Sequence, residues 1–166
     1  MNIINNGQKL DWNSDLGKIT RVVYGEMSDI SKTSDVDRQI VAESIVNRKE
    51  SGVYGDTYDE ILTPNQYNAM STSTYKNGPY AYMKDLKEKQ PHFYKANQSK
   101  IRGNFLHSLS ASFKAMNGIG REIGNGVVSY VSPPLKNNHF DKDPNLLNIT
   151  SGVNGLKGIS GVWKRK

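Results

Sequence analysis

SDLGKITRVVYGE, residues 14–26, is the stretch from which the architecture is read. Ser14 is a good N-cap, and Asp15 suits the first turn of a helix. Leu16, Ile19, Val22 and Val23 recur at helical spacing, which predicts a helix ending near Gly25 or Glu26. Each helical step turns by about 100°, so Glu26, seven steps beyond Ile19, returns to within roughly 20° of it. Glu26 therefore closes the apolar stripe instead of lying on the solvated side. A carboxyl placed there loses hydration and faces the carbonyl end of the helix, and both effects disfavour its charged form. A carboxylic acid kept protonated near neutral pH is what a glycosidase general acid requires. Read without context, a Glu at a helix end usually bends out to water.

Working outward, Ser34 caps a second helix with Asp35 and Asp37 in its first turn. Val36, Ile40, Val41, Ile45 and Val46 form its apolar side, and it should stop between Lys49 and Gly52. Asp59–Leu62 reads as a helical turn before Pro64. Residues 63–82, rich in Asn, Ser, Thr, Tyr and Gly, predict a long ordered loop or short strands. Helices are expected over 82–89 and over Ser99–Met116. The second should carry Ile101, Phe105, Leu106, Leu109, Phe113 and Met116 along one stripe. Val127–Val131 is a short β run stopped by Pro133 and Pro134. Gly152, Gly155, Gly158 and Gly161 recur every third residue without the prolines of collagen. The expected architecture is a single α+β domain over 1–166, mainly helical with a short β element. Residues 1–13 should form a loose lead-in, and 137–166 an irregular Gly-rich arm packed on the body.

Composition narrows the partners. A chain of 166 residues suits one domain with one core. Its net charge of +6 draws it to polyanions such as nucleic acid, an anionic membrane face or an anionic cell wall. The cations are scattered, apart from a run at Lys164–Lys166, and no nucleic-acid motif accompanies them, so nucleic acid is not the expected partner. The absence of cysteine removes disulfides, thiolate metal sites and cysteine nucleophiles. His92, His107 and His139 share no metal-ligand spacing, so no metal and no cofactor are expected. No stretch approaches a membrane span, and Met1–Asp11 lacks an apolar signal core. Nine tyrosines suit either a sugar-stacking groove or ordinary half-buried positions.

Four blocks carry a family resemblance. Ile19–Glu26 (ITRVVYGE) resembles the opening of the SleB/CwlJ-type cell wall hydrolases, where an apolar helix ends in an aromatic, a small residue and the catalytic Glu. Ile45-Val46-Asn47-Arg48 resembles that family's second helix, which ends in Asn-Arg. Tyr58–Asn68 (YDEILTPNQYN) resembles its segment bearing a Gln, an aromatic and a small polar residue. Gly126–Pro133 (GVVSYVSP) resembles its late strand. The blocks occur in order over 19–133. The resemblance implies a lysozyme-like fold related to lytic transglycosylases. It also implies cleavage of the β-1,4 bond between N-acetylmuramic acid and N-acetylglucosamine in peptidoglycan. Glu26 would protonate the leaving oxygen and then, as base, help the muramic 6-hydroxyl attack the anomeric carbon. Tyr24, Gln66, Tyr67 and Asn68 would bind the glycan, with Ser129 and Tyr130 contributing from the late strand.

The sequence departs from that family immediately after Glu26. Met27-Ser28-Asp29-Ile30 stands where a small residue, a basic residue, Gly and a second acid are usual, so the second acid is lost or displaced to Asp29. Glu43 shares an apolar face with Val36 and Ile40. It is either a second active-site carboxylate, opening a hydrolytic muramidase route, or a structural partner of Arg21, Arg38 or Arg48. Asn47 and Arg48 read as residues that tie down the helix end. A non-catalytic cell-wall or nucleic-acid binding module is the reading from another class. A wall-degrading enzyme of this kind would act in the bacterial cell wall or periplasm. It would be delivered by phage lysis or a secretion apparatus, or carry a leader removed from this chain, and an immunity or inhibitor protein would be its natural protein partner.

Overall fold

Helix α1 (Asp15–Glu26) begins where its cap requires: the Ser14 hydroxyl accepts a hydrogen bond from the Gly17 amide at 3.1 Å. The structure is a computed structural model that describes residues 4–5, 8–29, 31–71, 84, 86–120, 126–132 and 139–166. Helix α2 (Asp35–Ser51) starts with a reciprocal cap. The Ser34 hydroxyl takes the Asp37 amide, and the Asp37 carboxylate takes the Ser34 amide. It ends on Gly52, whose φ of 64° suits a residue without a side chain. A single turn, α3 (Tyr58–Ile61), follows, then a 3-10 turn at Asn68–Ser71. This replaces the first part of the loop expected over 63–82; residues 72–83 lie outside the described residues. The backbone is helical at 84 and 86–89, as expected. After Gln90, α4 (Pro91–Met116) opens with a proline in its first turn and runs 26 residues, so it starts eight residues before the expected Ser99.

Strands β1 (Ile4–Asn5) and β2 (Gln8–Lys9) pair within the segment expected to be loose. That lead-in is also tied to the body. Trp12 packs edge-on against Phe105 at 5.2 Å, and its carbonyl accepts from the Arg21 guanidinium at 3.0 Å.

Strands β3 (Val127–Val131), β4 (Leu146–Asn148) and β5 (Gly161–Arg165) form an antiparallel sheet in the order β3-β5-β4. Residues 139–166 are therefore not an irregular arm: they supply two of the three strands, including the central one. Its glycines disguise the alternation. At Gly161 an added Cβ would stand 2.1 Å from the Trp163 ring, so the missing side chain is the space that ring occupies. Trp163 is fully buried and donates its indole N–H to Asp141 at 2.8 Å. Asp37 fastens this segment to α2 by accepting the amides of Lys157, Gly158 and Ile159 at 2.8–3.2 Å.

The main core joins α1, α2 and the sheet through residues such as Ile19, Val23, Ile40, Ile45, Val127 and Val162. A smaller core of Val128, Val131, Leu146 and Trp163 lies beneath the sheet's other face. Helix α4 contradicts the stripe predicted for it. Its buried residues are Asn104, Phe105, Ser108, Ala111, Ser112 and Ala115, whereas Leu106 and Phe113 are exposed. Small side chains let α4 lie close on α1 and α2, and the hydroxyls of Ser108 and Ser112 satisfy themselves on carbonyls one turn back at 2.8 Å. The larger apolar residues are displaced outward. The chain is thus α+β, mainly helical, with a small three-stranded antiparallel sheet.

Candidate active site

The last turn of α1 and the Asn68–Ser71 turn meet at Gly25. A Cβ there would lie 2.6 Å from that of Ala69, so only a residue without a side chain lets the turn approach this closely. The approach brings the Ala69 amide to Glu26, donating to Oε1 at 2.9 Å. Glu26 is half-buried and stands on the wall of a cleft of about 710 Å³. The remaining walls come from the end of α2, residues 65–68, strand β3 with Ser132, and the segment from Phe140 to Leu146.

Arg48 organises this cleft. Its Nε donates to the Val128 carbonyl at 2.6 Å and its Nη1 to the Gln66 side-chain carbonyl at 2.7 Å, while its Nη2 lies 3.5 Å from the Ser129 hydroxyl. The same guanidinium lies over the rings of Tyr54 and Tyr67, 5.0 and 5.3 Å from their centroids. One residue earlier, Asn47 donates to the Val127 carbonyl at 2.8 Å. The last turns of α2 thereby pin the start of β3, where the strand register shifts between Val127 and Ser129. Beyond that shift Ser129 and Tyr130 face the cleft.

The electrostatics single out Glu26. Burial raises its pKa above the ordinary glutamate range, and the hydrogen bonds from the Ala69 amide and the Tyr130 hydroxyl offset that only in part. Tyr130 is held well above the usual phenol value, by burial first and then by the nearby Glu26 charge. It is a neutral donor at any physiological pH. Burial likewise raises the Tyr67 phenol, against the opposing charge of Arg48.

Of the residues expected to form the site, Glu26, Gln66, Tyr67, Asn68, Ser129 and Tyr130 all line this one cleft. Two do not. Tyr24 lies two residues before Glu26 and so on nearly the opposite side of α1. It packs on Phe105 with ring centroids 5.7 Å apart and borders a separate cleft of about 370 Å³ under the first half of α4. Asp29, the candidate displaced acid, borders that second cleft too, where it accepts from Ser31. Glu43 is buried, accepts from the Gln39 side chain at 2.7 Å, and lines neither cleft. Its apolar face on α2 is real, but that face looks toward Ile119, whose carbonyl also takes a bond from Gln39 at 3.3 Å.

Sequence reasoning missed Tyr54, Asn65, Ser132, Phe140, Asp143 and Leu146 as cleft residues. Asp143 matters most, because it is a second carboxylate facing the Glu26 cleft. It is exposed, and one of its oxygens accepts from the Asn145 amide at 2.9 Å. The Asp143-Pro144-Asn145 turn signal is visible in the sequence, but nothing local says that the turn borders the Glu26 cleft. Arg48 both ties down the end of α2 and lines the cleft. The chain matches no protein family, no curated protein and no solved structure.

Proposed function

We propose that this chain cleaves peptidoglycan glycan strands between N-acetylmuramic acid and N-acetylglucosamine, as a lytic transglycosylase of lysozyme-like architecture. One observation carries the reading. Glu26, a carboxyl whose pKa burial raises, is held by a backbone amide, beside the Tyr130 phenol, in an open cleft walled by amides and aromatic rings. Such a group is a general acid set against a polar polymer. The side chains of Asn65, Gln66 and Asn68 suit acetamido groups, and the Tyr54, Tyr130 and Phe140 rings suit sugar faces.

In this mechanism Glu26 gives its proton to the glycosidic oxygen as the bond to the muramic anomeric carbon breaks. The resulting carboxylate takes the proton of the muramic 6-hydroxyl as that oxygen bonds the same carbon. The products are a 1,6-anhydro end and a strand with a free 4-hydroxyl, and Glu26 is protonated again. The amide of Ala69 and the hydroxyl of Tyr130 stabilise the carboxylate between the two transfers.

Asp143 supports a second reading. A second, exposed carboxylate lining the same cleft as an acid whose pKa is raised is what a hydrolytic muramidase would use, with Asp143 in the place the sequence offers to Glu43. Mass analysis of fragments released from purified sacculi separates the two. Anhydro-muramic ends support transglycosylation, and reducing muramic ends support water as nucleophile. Intact sacculi, with glycan retained on the protein, would favour a non-catalytic wall-binding module.

A further inference from the structure

Helix α4 is amphipathic in the wrong sense for a helix packed on a core, and its outer face accounts for that. Leu106 and Phe113 are 45% and 46% exposed, although helix surfaces facing water usually carry polar residues. Leu109 and Met116 flank them, half-buried. All 26 residues of α4 are described, and none is acidic. Steps of about 100° bring Lys95, Arg102, Leu106 and Phe113 within roughly 40° of one another on the side opposite buried Asn104 and Ser108. The outer ridge therefore carries cations in its first half and large apolar groups in its second. Lys95, Arg102 and Lys114 form no ion pair with a described residue. Asp35 of α2 faces the helix from one flank, where it is engaged by His107 at 2.8 Å and by Arg38.

We propose that this ridge docks on an anionic lipid bilayer, with Leu106 and Phe113 entering the headgroup–acyl boundary and the cations meeting lipid phosphates. Basic charge beside Leu and Phe on one exposed helix face is the pattern of an interfacial helix, which lies in the membrane plane without crossing it. No described helix is long and apolar enough to cross a membrane. A second copy fits the ridge poorly, because it would set cation against cation or cation against Leu and Phe. Nucleic acid would answer the cations but leave the apolar groups in water. No α4 residue lines the Glu26 cleft, so the docked protein keeps that cleft open.

The test is flotation of the full chain with phosphatidylcholine vesicles, with and without 30% phosphatidylglycerol (about a physiological anionic fraction), at about 0.15 M salt. The expected result is binding to the anionic vesicles at least about tenfold above the neutral ones. Leu106→Ser with Phe113→Ser should remove at least about nine tenths of it without changing the charge. Both residues are half exposed, so this variant should keep the wild-type circular dichroism. Val53→Ser with Leu147→Ser, exposed apolar residues elsewhere, should bind as wild type. Equal binding by the Leu106/Phe113 variant would reduce the effect to bare charge and overturn the proposal. Failure of the wild type to float would overturn it too, leaving the face to an acidic protein partner.

Discussion

Glu26 holds opposed demands, and its titration makes them measurable. Its folded pKa lies above its unfolded value because burial outweighs two hydrogen bonds. Between those two values the native state binds more protons than the unfolded chain, so stability falls as pH rises through the window. Below the unfolded value the penalty vanishes, and above the folded value it is complete. Glu26→Gln, which mimics the protonated acid, should therefore melt higher than wild type at pH 7 and level with it near pH 3.5, a difference thermal unfolding at the two pH values will show. Activity should fall on the alkaline side through the same raised pKa, and a pH–rate profile checks this. Arg48→Met leaves the Val128 carbonyl and the Gln66 side chain without their donor, at a cost of about 2–4 kcal/mol in chemical denaturation. At this scale the sequence was informative for Glu26, because helical phase alone puts it on the buried side. For Glu43 the same argument found burial but not direction. Phase says that a residue faces the interior, not which neighbour waits there.

The starts of α1 and α2 and the stop of α2 were legible because their chemistry is local. Ser14, Ser34 and Gly52 act on amides and carbonyls a few residues away. The 3-10 turn that delivers Ala69 to Glu26 was not legible, since its place depends on a contact between Gly25 and Ala69 across 44 positions of sequence. Gly25→Ala tests that contact. Alanine favours a helix intrinsically by up to about 1 kcal/mol, yet here its methyl displaces the turn, so the net change should be a loss of about 1–3 kcal/mol. The proposed wall-degrading activity should fall about tenfold or more as the Ala69 amide withdraws. A gain in stability at full activity would mean that the turn does not position Glu26. Helix α4 misled for a different reason. Apolar periodicity assumes that large side chains fill the interior, whereas Ser108, Ala111, Ser112 and Ala115 fill it with close backbone approach instead.

For the whole molecule, residues 139–166 are where sequence reading failed most and where the fold is closed. Strand β5 lies between β3 and β4, and Asp37 ties residues 157–159 to α2 through three backbone amides. Those partners lie about 120 residues apart, and long-range pairings of that kind leave no periodic trace. Asp37→Ala strands those amides and the Ser34 cap together and should cost about 3 kcal/mol or more, read as a lower denaturation midpoint. The segment that closes the sheet also carries Asp143 and Phe140 to the cleft, so the sheet and one wall of the cleft depend on the same stretch of chain. Those pieces meet at Glu26, and the most direct measurement is digestion of purified sacculi by wild type and by Glu26→Gln, with circular dichroism confirming that both are folded. The expected result is soluble muropeptides from the wild type and at least about a thousandfold less from the variant, the scale of losing a general acid. Equal release by a folded Glu26→Gln protein would contradict the assignment of Glu26 as the acid.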